Sequence, residues 1–264
     1  KNRNKILCKS LFSYKLKTNQ MKIKHLFILF LLFIAVQINA QKSVKPLLDS
    51  LSQFIKEKKI PGVMISIVKS DSILFSGGIG YANIDGKEKV TENHLFRVGS
   101  ISKSITALGL LKLEGEGKLS LKSRIYDIDS DIPFENKWES ENPVTVENLL
   151  EHTSGFDDMH LHAIYNNTDA TTPSTKSMVQ SHTKSLKSRW KPGTRKAYSN
   201  PGYIVAGHIL ETVANQPYHN YLKEEILNPL DMKSSGFFLK EPKNALIAQG
   251  YQKAGNYLNP VKFT

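Results

Sequence analysis

The chain has 264 residues, enough for one large domain or two small ones, and its hydrophobic content of 40% is adequate for a buried core. The formal net charge of +12 is concentrated at one end, because residues 1–40 hold eight of the 36 basic residues and no acidic one. What remains is 28 basic against 24 acidic residues, a net of +4, an ordinary surface that argues against nucleic-acid binding.

In chain order, residues 1–20 read as an upstream extension, since a good start methionine follows at Met21. They contain Cys8, the only cysteine, so the remaining chain has no thiol and no disulfide and must rely on its core. Residues 21–40, MKIKHLFILFLLFIAVQINA, read as a signal peptide. Lys22 and Lys24 form a positive flank, and Leu26–Val36 is an apolar run of 11 residues, short for a bilayer span but suited to a signal core. Ile38-Asn39-Ala40 offers a cleavage site. The protein is expected to be exported, periplasmic or secreted, with no stable membrane span once the signal is removed.

Residues 41–94 are expected to form the N-terminal part of a sheet domain. Leu47, Leu48, Leu51, Phe54 and Ile55 fall on one face and predict an amphipathic helix over 44–58. GVMISIVK (62–69) and ILFSGGIGYA (73–82), separated by Ser70-Asp71-Ser72, predict a β-hairpin, and Asp85-Gly86 a further turn. Residues 95–243 are expected to be helical. The predicted helices cover Ser100–Glu114; 144–152, with Thr145 as cap and Asn148 three residues on; a weak one near 176–186; one opened by Asn200-Pro201-Gly202; and one over 217–227. Residues 166–188 are polar and read as a surface excursion, and 244–264 as the start of a return to the sheet. A two-stranded hairpin is marginal alone, so the sheet is incomplete and the chain is expected to be truncated at its C-terminal end.

The pattern S-x-x-K occurs at Ser66–Lys69, Ser100–Lys103, Ser181–Lys184 and Ser188–Lys191, so context must separate the four. Side chains three apart on a strand face opposite ways, which disfavours Ser66. Ser181 and Ser188 lie in a polar stretch with nothing to desolvate a lysine. Ser100 follows Gly99, starts a predicted helix, and precedes Ile101, Ile105, Ala107 and Leu108. Free N–H groups at a helix start can stabilise an oxyanion, three helical residues return Lys103 to the face of Ser100, and a buried lysine can serve as a base. The plainer reading has Ser100 capping the helix and Lys103 solvated. Y-x-N is equally common, at Tyr81, Tyr165, Tyr198, Tyr218 and Tyr257. Only Tyr198 stands in a promising setting, where the Pro192-Gly193 turn and the Asn200-Pro201-Gly202 corner can hold Tyr198 and Asn200 on one wall; the plainer reading is a packed tyrosine with Asn200 as helix cap. In DDMHLH, Asp157, Asp158, His160 and His162 raise the thought of a metal, but the spacing fits no strong zinc pattern. A loop of solvated polar residues is the expectation there, with no metal.

FRVGSISKSITAL (96–108), LLEHTSGF (149–156) and KPGTRKAYSNPGYIVAGHILE (191–211), in that order, resemble the signatures of the serine β-lactamase-related family, which includes class C β-lactamases, D-alanyl-D-alanine carboxypeptidases and related esterases. LNPLDMKSSGFF (227–238) resembles the next segment. The resemblance implies an α/β (α+β) β-lactamase/transpeptidase-like fold: an antiparallel sheet flanked by helices, an all-helical domain, and a cleft between them. It implies that Ser100 is the nucleophile, that Lys103 assists its deprotonation, that Tyr198 shuttles the proton to the leaving group, and that Asn200 binds substrate. Whether Lys103 or Tyr198 is the main base stays open, and His152 reads as a structural hydrogen-bonder. The family's third element, a K-T-G or H-x-G triplet on a later strand, does not follow Tyr198 in this sequence. The expectation is an exported serine hydrolase that needs no cofactor and acts through an acyl-enzyme on a small-molecule or peptide substrate: a β-lactam, a D-Ala-D-Ala peptide or a small ester. The competing expectation is a binding or scaffold protein that keeps the fold without turnover.

Overall fold

A computed structural model describes residues 44–158, 160, 174–238, 246–255 and 257–261. The expected upstream extension, the signal peptide, Cys8 and His162 lie outside the described residues. Among those described, no helix is long and apolar enough to cross a membrane. They form two compact units that divide after His94.

The first unit opens with α1 (44–58). Its inward stripe is Val44, Leu48, Leu51 and Ile55, spaced by four, three and four residues as a 3.6-residue period requires. Leu47 and Phe54, expected on that face, stand about half exposed at its edges. The hairpin pairs β1 (Gly62–Lys69) with β2 (Ser72–Asn83), antiparallel, from Gly62 opposite Gly80 to Lys69 opposite Ser72. A third short strand, β3 (Glu88–Lys89), adds to β2. Two glycines admit the buried Val90 against this sheet: a Cβ on Gly62 would come within 2.7 Å of its Cγ2, and one on Gly78 within 2.2 Å of its Cγ1. The chain passes through β4 (His94–Leu95) into the second unit.

That unit is built on helices. A 3₁₀ turn (Gly99–Ile101) leads into α2 (Ser102–Gly115), followed by α3 (Ile125–Ile128), α4 (Val146–Leu150), α5 (Thr175–Ser181), α6 (Asn200–Ala214) and α7 (Tyr218–Leu222). The helix expected over 217–227 changes character at its end, where Lys223–Leu227 is a π-turn. α4 is fixed as expected by a capping box: Asn148 N–H donates to Thr145 Oγ1 at 3.3 Å, and Thr145 N–H to Asn148 Oδ1 at 3.1 Å. α6 is the hub, packed against α2, α3, α4, α5 and α7. Val205, Ala206, Ile209 and Leu210 on it, with Leu110 and Leu113 of α2 and Leu149 of α4, are fully buried in one core. Burying each of the larger of these side chains contributes about 1.5–3 kcal/mol. Three short strands follow: β5 (Leu246–Ile247), and the antiparallel pair β6 (Gly250–Ala254) and β7 (Tyr257–Val261).

Candidate active site

Three segments of the second unit build the site. The first is the start of α2. Gly99, at φ +52°, turns the backbone through the left-handed region that a side chain disfavours, and Ser100 follows on the exposed 3₁₀ turn. Lys103 lies one turn on, and its Nζ donates to Ser100 Oγ at 3.2 Å. Ser100 does not cap the helix, since no side-chain cap bond forms at either the 3₁₀ turn or α2.

The second segment is the loop entering α6. Tyr198 OH and Ser100 Oγ share a hydrogen bond of 2.7 Å, and Lys103 Nζ donates to Asn200 Oδ1 at 2.6 Å. Ser199, not Asn200, caps α6: its Oγ accepts from Gly202 N–H at 3.0 Å. The Asn200 side chain is committed to Lys103 and Asp158 and is not available as a cap. The structure thus brings Ser100, Lys103, Tyr198 and Asn200 into one hydrogen-bonded group.

The third segment, residues 152–158, braces the second. Ala197 N–H donates to His152 O at 2.9 Å, Gly193 N–H to Thr153 O at 3.0 Å, and Ser188 Oγ to Ser154 O at 2.7 Å. Ser188, expected in a solvated stretch, is therefore a structural fastener. His152 adopts φ +61°, and its Nδ1 accepts from Ser199 N–H at 3.2 Å. Its ring lies 4.5 Å from the Tyr198 ring and 5.1 Å from that of Tyr203. Tyr203 is tied in turn to Leu150 O at 3.1 Å. The Asp157–Asp158 pair departs from the expected solvated loop. Asp157 is buried, 3.5 Å from His160, while Asp158 accepts from Asn200 N–H at 2.9 Å and from Asn200 Nδ2 at 3.1 Å. Among the described residues no cluster of three or more His, Cys, Asp or Glu side chains is placed to hold a metal.

The apolar residues expected to desolvate Lys103 do not all do so, because Ile101 and Leu108 point outward and are exposed. Aromatic rings stand beside it instead, with Nζ 4.9 Å from the Tyr198 centroid and 5.6 Å from that of Tyr203. The sequence offered no sign that Tyr203 belongs to the site, and Asp158 stood out there only beside a metal reading. At Tyr198 burial pushes the phenol up, but hydrogen bonds from Lys103 and Ser100 and the Lys103 charge together outweigh it and hold the phenol below its ordinary value. At His152 burial, then the Lys103 and Lys196 charges, hold the imidazole below its ordinary value, so it stays the neutral acceptor that the Ser199 bond needs. An accessible hydroxyl, a phenol biased toward ionisation and a cation within reach of both can deliver a serine alkoxide to a carbonyl carbon.

Known proteins share this arrangement of chain. Protein Flp of Staphylococcus aureus strain N315 is 30% identical over 206 residues, covering 76% of this chain and 40% of its own. A beta-lactamase of Pseudomonas fluorescens is 26% identical over 213 residues, covering 80% of this chain and 56% of its own. The octameric penicillin-binding protein homologue from Pyrococcus abyssi superposes with a TM-score of 0.71 at 32% identity, over 82% of this chain and 50% of that one. The chain thus spans about half the length of these relatives, and it has their β-lactamase/transpeptidase-like fold. The family model described as beta-lactamase matches residues 47–262, from the first helix through the last strand, and the chain therefore belongs to the beta-lactamase family.

Proposed function

We propose that this protein is a serine hydrolase that cleaves an amide or ester through an acyl-enzyme on Ser100. The observation that carries the reading is the convergence of Tyr198 OH and Lys103 Nζ on Ser100 Oγ, at 2.7 and 3.2 Å. In the proposed cycle Tyr198, ionised, takes the Ser100 proton as Oγ bonds to the substrate carbonyl carbon. The Lys103 ammonium stabilises the phenolate before transfer and the oxyanion side of the reaction after it. The carbonyl bond to the leaving nitrogen or oxygen breaks, and Tyr198 returns the proton to that atom. Water then attacks the acyl carbon, giving up its proton to Tyr198, and Ser100 recovers its hydrogen as the acid departs.

The substrate classes are a β-lactam, a peptide ending in D-Ala-D-Ala or a small ester. Relatives named as a beta-lactamase and a penicillin-binding protein homologue favour the first two. The basic flank and 11-residue apolar run of residues 21–40 support export to the periplasm or beyond. The test is covalent labelling. Incubation of the folded protein with a fluorophosphonate and with benzylpenicillin, followed by peptide mass spectrometry, is expected to find an adduct on Ser100 that Ser100→Ala abolishes. A folded wild-type protein that takes neither probe overturns the reading and leaves a binding protein that has kept the fold.

A further inference from the structure

The Asn200 side-chain amide sits between two charged groups of opposite character. On one side is Lys103 Nζ, which can only donate, 2.6 Å from Oδ1. On the other is the Asp158 carboxylate, which can only accept, 3.1 Å from Nδ2. Turning the amide over would set Oδ1 against the carboxylate and Nδ2 against the ammonium, replacing two charge-assisted hydrogen bonds with two repulsions. The second carboxylate oxygen holds the residue's backbone: Asn200 N–H, at the start of α6 where no helical acceptor exists, donates to Asp158 Oδ1 at 2.9 Å. Asp158 thus grips Asn200 at two points, and Asn200 grips Lys103.

We propose that Asp158 is a positioning residue of this site: its carboxylate fixes the Asn200 amide with the oxygen toward Lys103, and through that oxygen holds the Lys103 ammonium against Ser100 and Tyr198. The proposal rests on the hydrolase reading for its effect on rate, and on geometry alone for the orientation of Asn200. Its chemical signature differs from that of a simple helix cap. The groups facing Tyr198 are Ser100 from the 3₁₀ turn, Lys103 from α2, His152 and Asp158 from the bracing loop, and Tyr203 from α6. Of these, Asp158 supplies the negative charge, and it opposes the effect of Lys103 on the phenol.

Asp158→Asn separates the two roles. Its remaining oxygen can still accept from the Asn200 backbone, but its NH₂ now meets Asn200 Nδ2, so the cap survives and the amide loses its fixed orientation. The expected result is a protein that melts close to wild type, acylates Ser100 about 100-fold more slowly at saturating fluorophosphonate, and shows the rising limb of its pH–rate profile displaced from the wild-type position. Asp158→Glu, which restores the charge, is expected to bring the limb back. A folded Asp158→Asn protein with the wild-type rate and profile overturns the proposal. A second measurement is independent of turnover: the ¹⁵N-resolved Asn200 side-chain amide resonance is expected to shift and exchange faster in Asp158→Asn. If wild-type Ser100 takes no probe, the hydrolase reading fails while a moved resonance still supports the positioning role. An unmoved resonance overturns that role whatever the acylation result.

Discussion

Tyr198 is where the chemistry of the site is balanced. The residue is 47% exposed, yet its hydroxyl is held by Ser100, and its ring rests on His152. Tyr198→Phe keeps the ring on His152 and removes only the hydroxyl. Acylation of Ser100 is expected to slow by about 10²–10⁴-fold, the usual worth of a placed acid–base group, with little change in melting temperature. An unaltered rate, read by timed mass spectrometry of the adduct, would make Lys103 the base instead. Because the phenol is held below its ordinary value of 10.0, the rate of acylation is expected to rise with pH along a limb centred below that value. The sequence could name Tyr198 only through its surroundings, since five tyrosines carry an asparagine two residues on. It could not name Asp158 as a partner of Asn200, because 42 residues separate them and no local pattern links a loop carboxylate to a helix start.

At the level of elements, the reactive pair is only as well placed as α2, and α2 is seated by close packing. Gly109 on its buried face leaves so little room that a Cβ there would stand 2.6 Å from both Leu210 Cδ1 of α6 and Leu222 Cδ2 of α7. The leucines are fully buried and have nowhere to retreat. Gly109→Val is expected to destabilise the protein by about 1–3 kcal/mol through overpacking, measured by urea unfolding. Since α2 must move away from α6 to make room, Ser100 acylation should fall as well. An unchanged urea midpoint would mean the helices yield without strain. Most helices were legible because their apolar faces repeat at 3.6 residues, as in α6, or because a cap declared itself, as at Thr145. The outward turn of Ile101 and Leu108, and the π-turn after α7, were not legible. Both depend on which neighbour a helix meets, not on its own period.

For the molecule as a whole, acid is the expected weakness. Burial and nearby lysines hold the His152 imidazole below 6.5, so on acidification the unfolded chain takes up a proton that the folded chain resists. That contribution to stability is full above pH 6.5 and is lost as pH falls toward the folded value. At Asp129 burial alone would raise the carboxyl. Hydrogen bonds from His208 and the Asp131 backbone, with the Lys176 charge nearby, outweigh burial and hold the carboxyl below 3.8. Its contribution is likewise full above that value and lost as pH falls through the folded one. The urea midpoint is therefore expected to decline from near neutrality and again in stronger acid, with Asp129→Asn making the second decline shallower. A midpoint level across that range contradicts both assignments. By itself the sequence determined the order of most helices, because a period or a cap is written in local spacing, and its three ordered motifs carried the resemblance to the family that singled out Ser100–Lys103 among four S-x-x-K matches. Tertiary structure alone decided by which contacts Tyr198 and Asn200, named by the resemblance, reach that pair from almost a hundred residues away, that His152 and Tyr203 frame the phenol, and that Asp158 holds Asn200. Those contacts are made by packing between segments distant in the chain, and no local pattern carries the distance that packing closes.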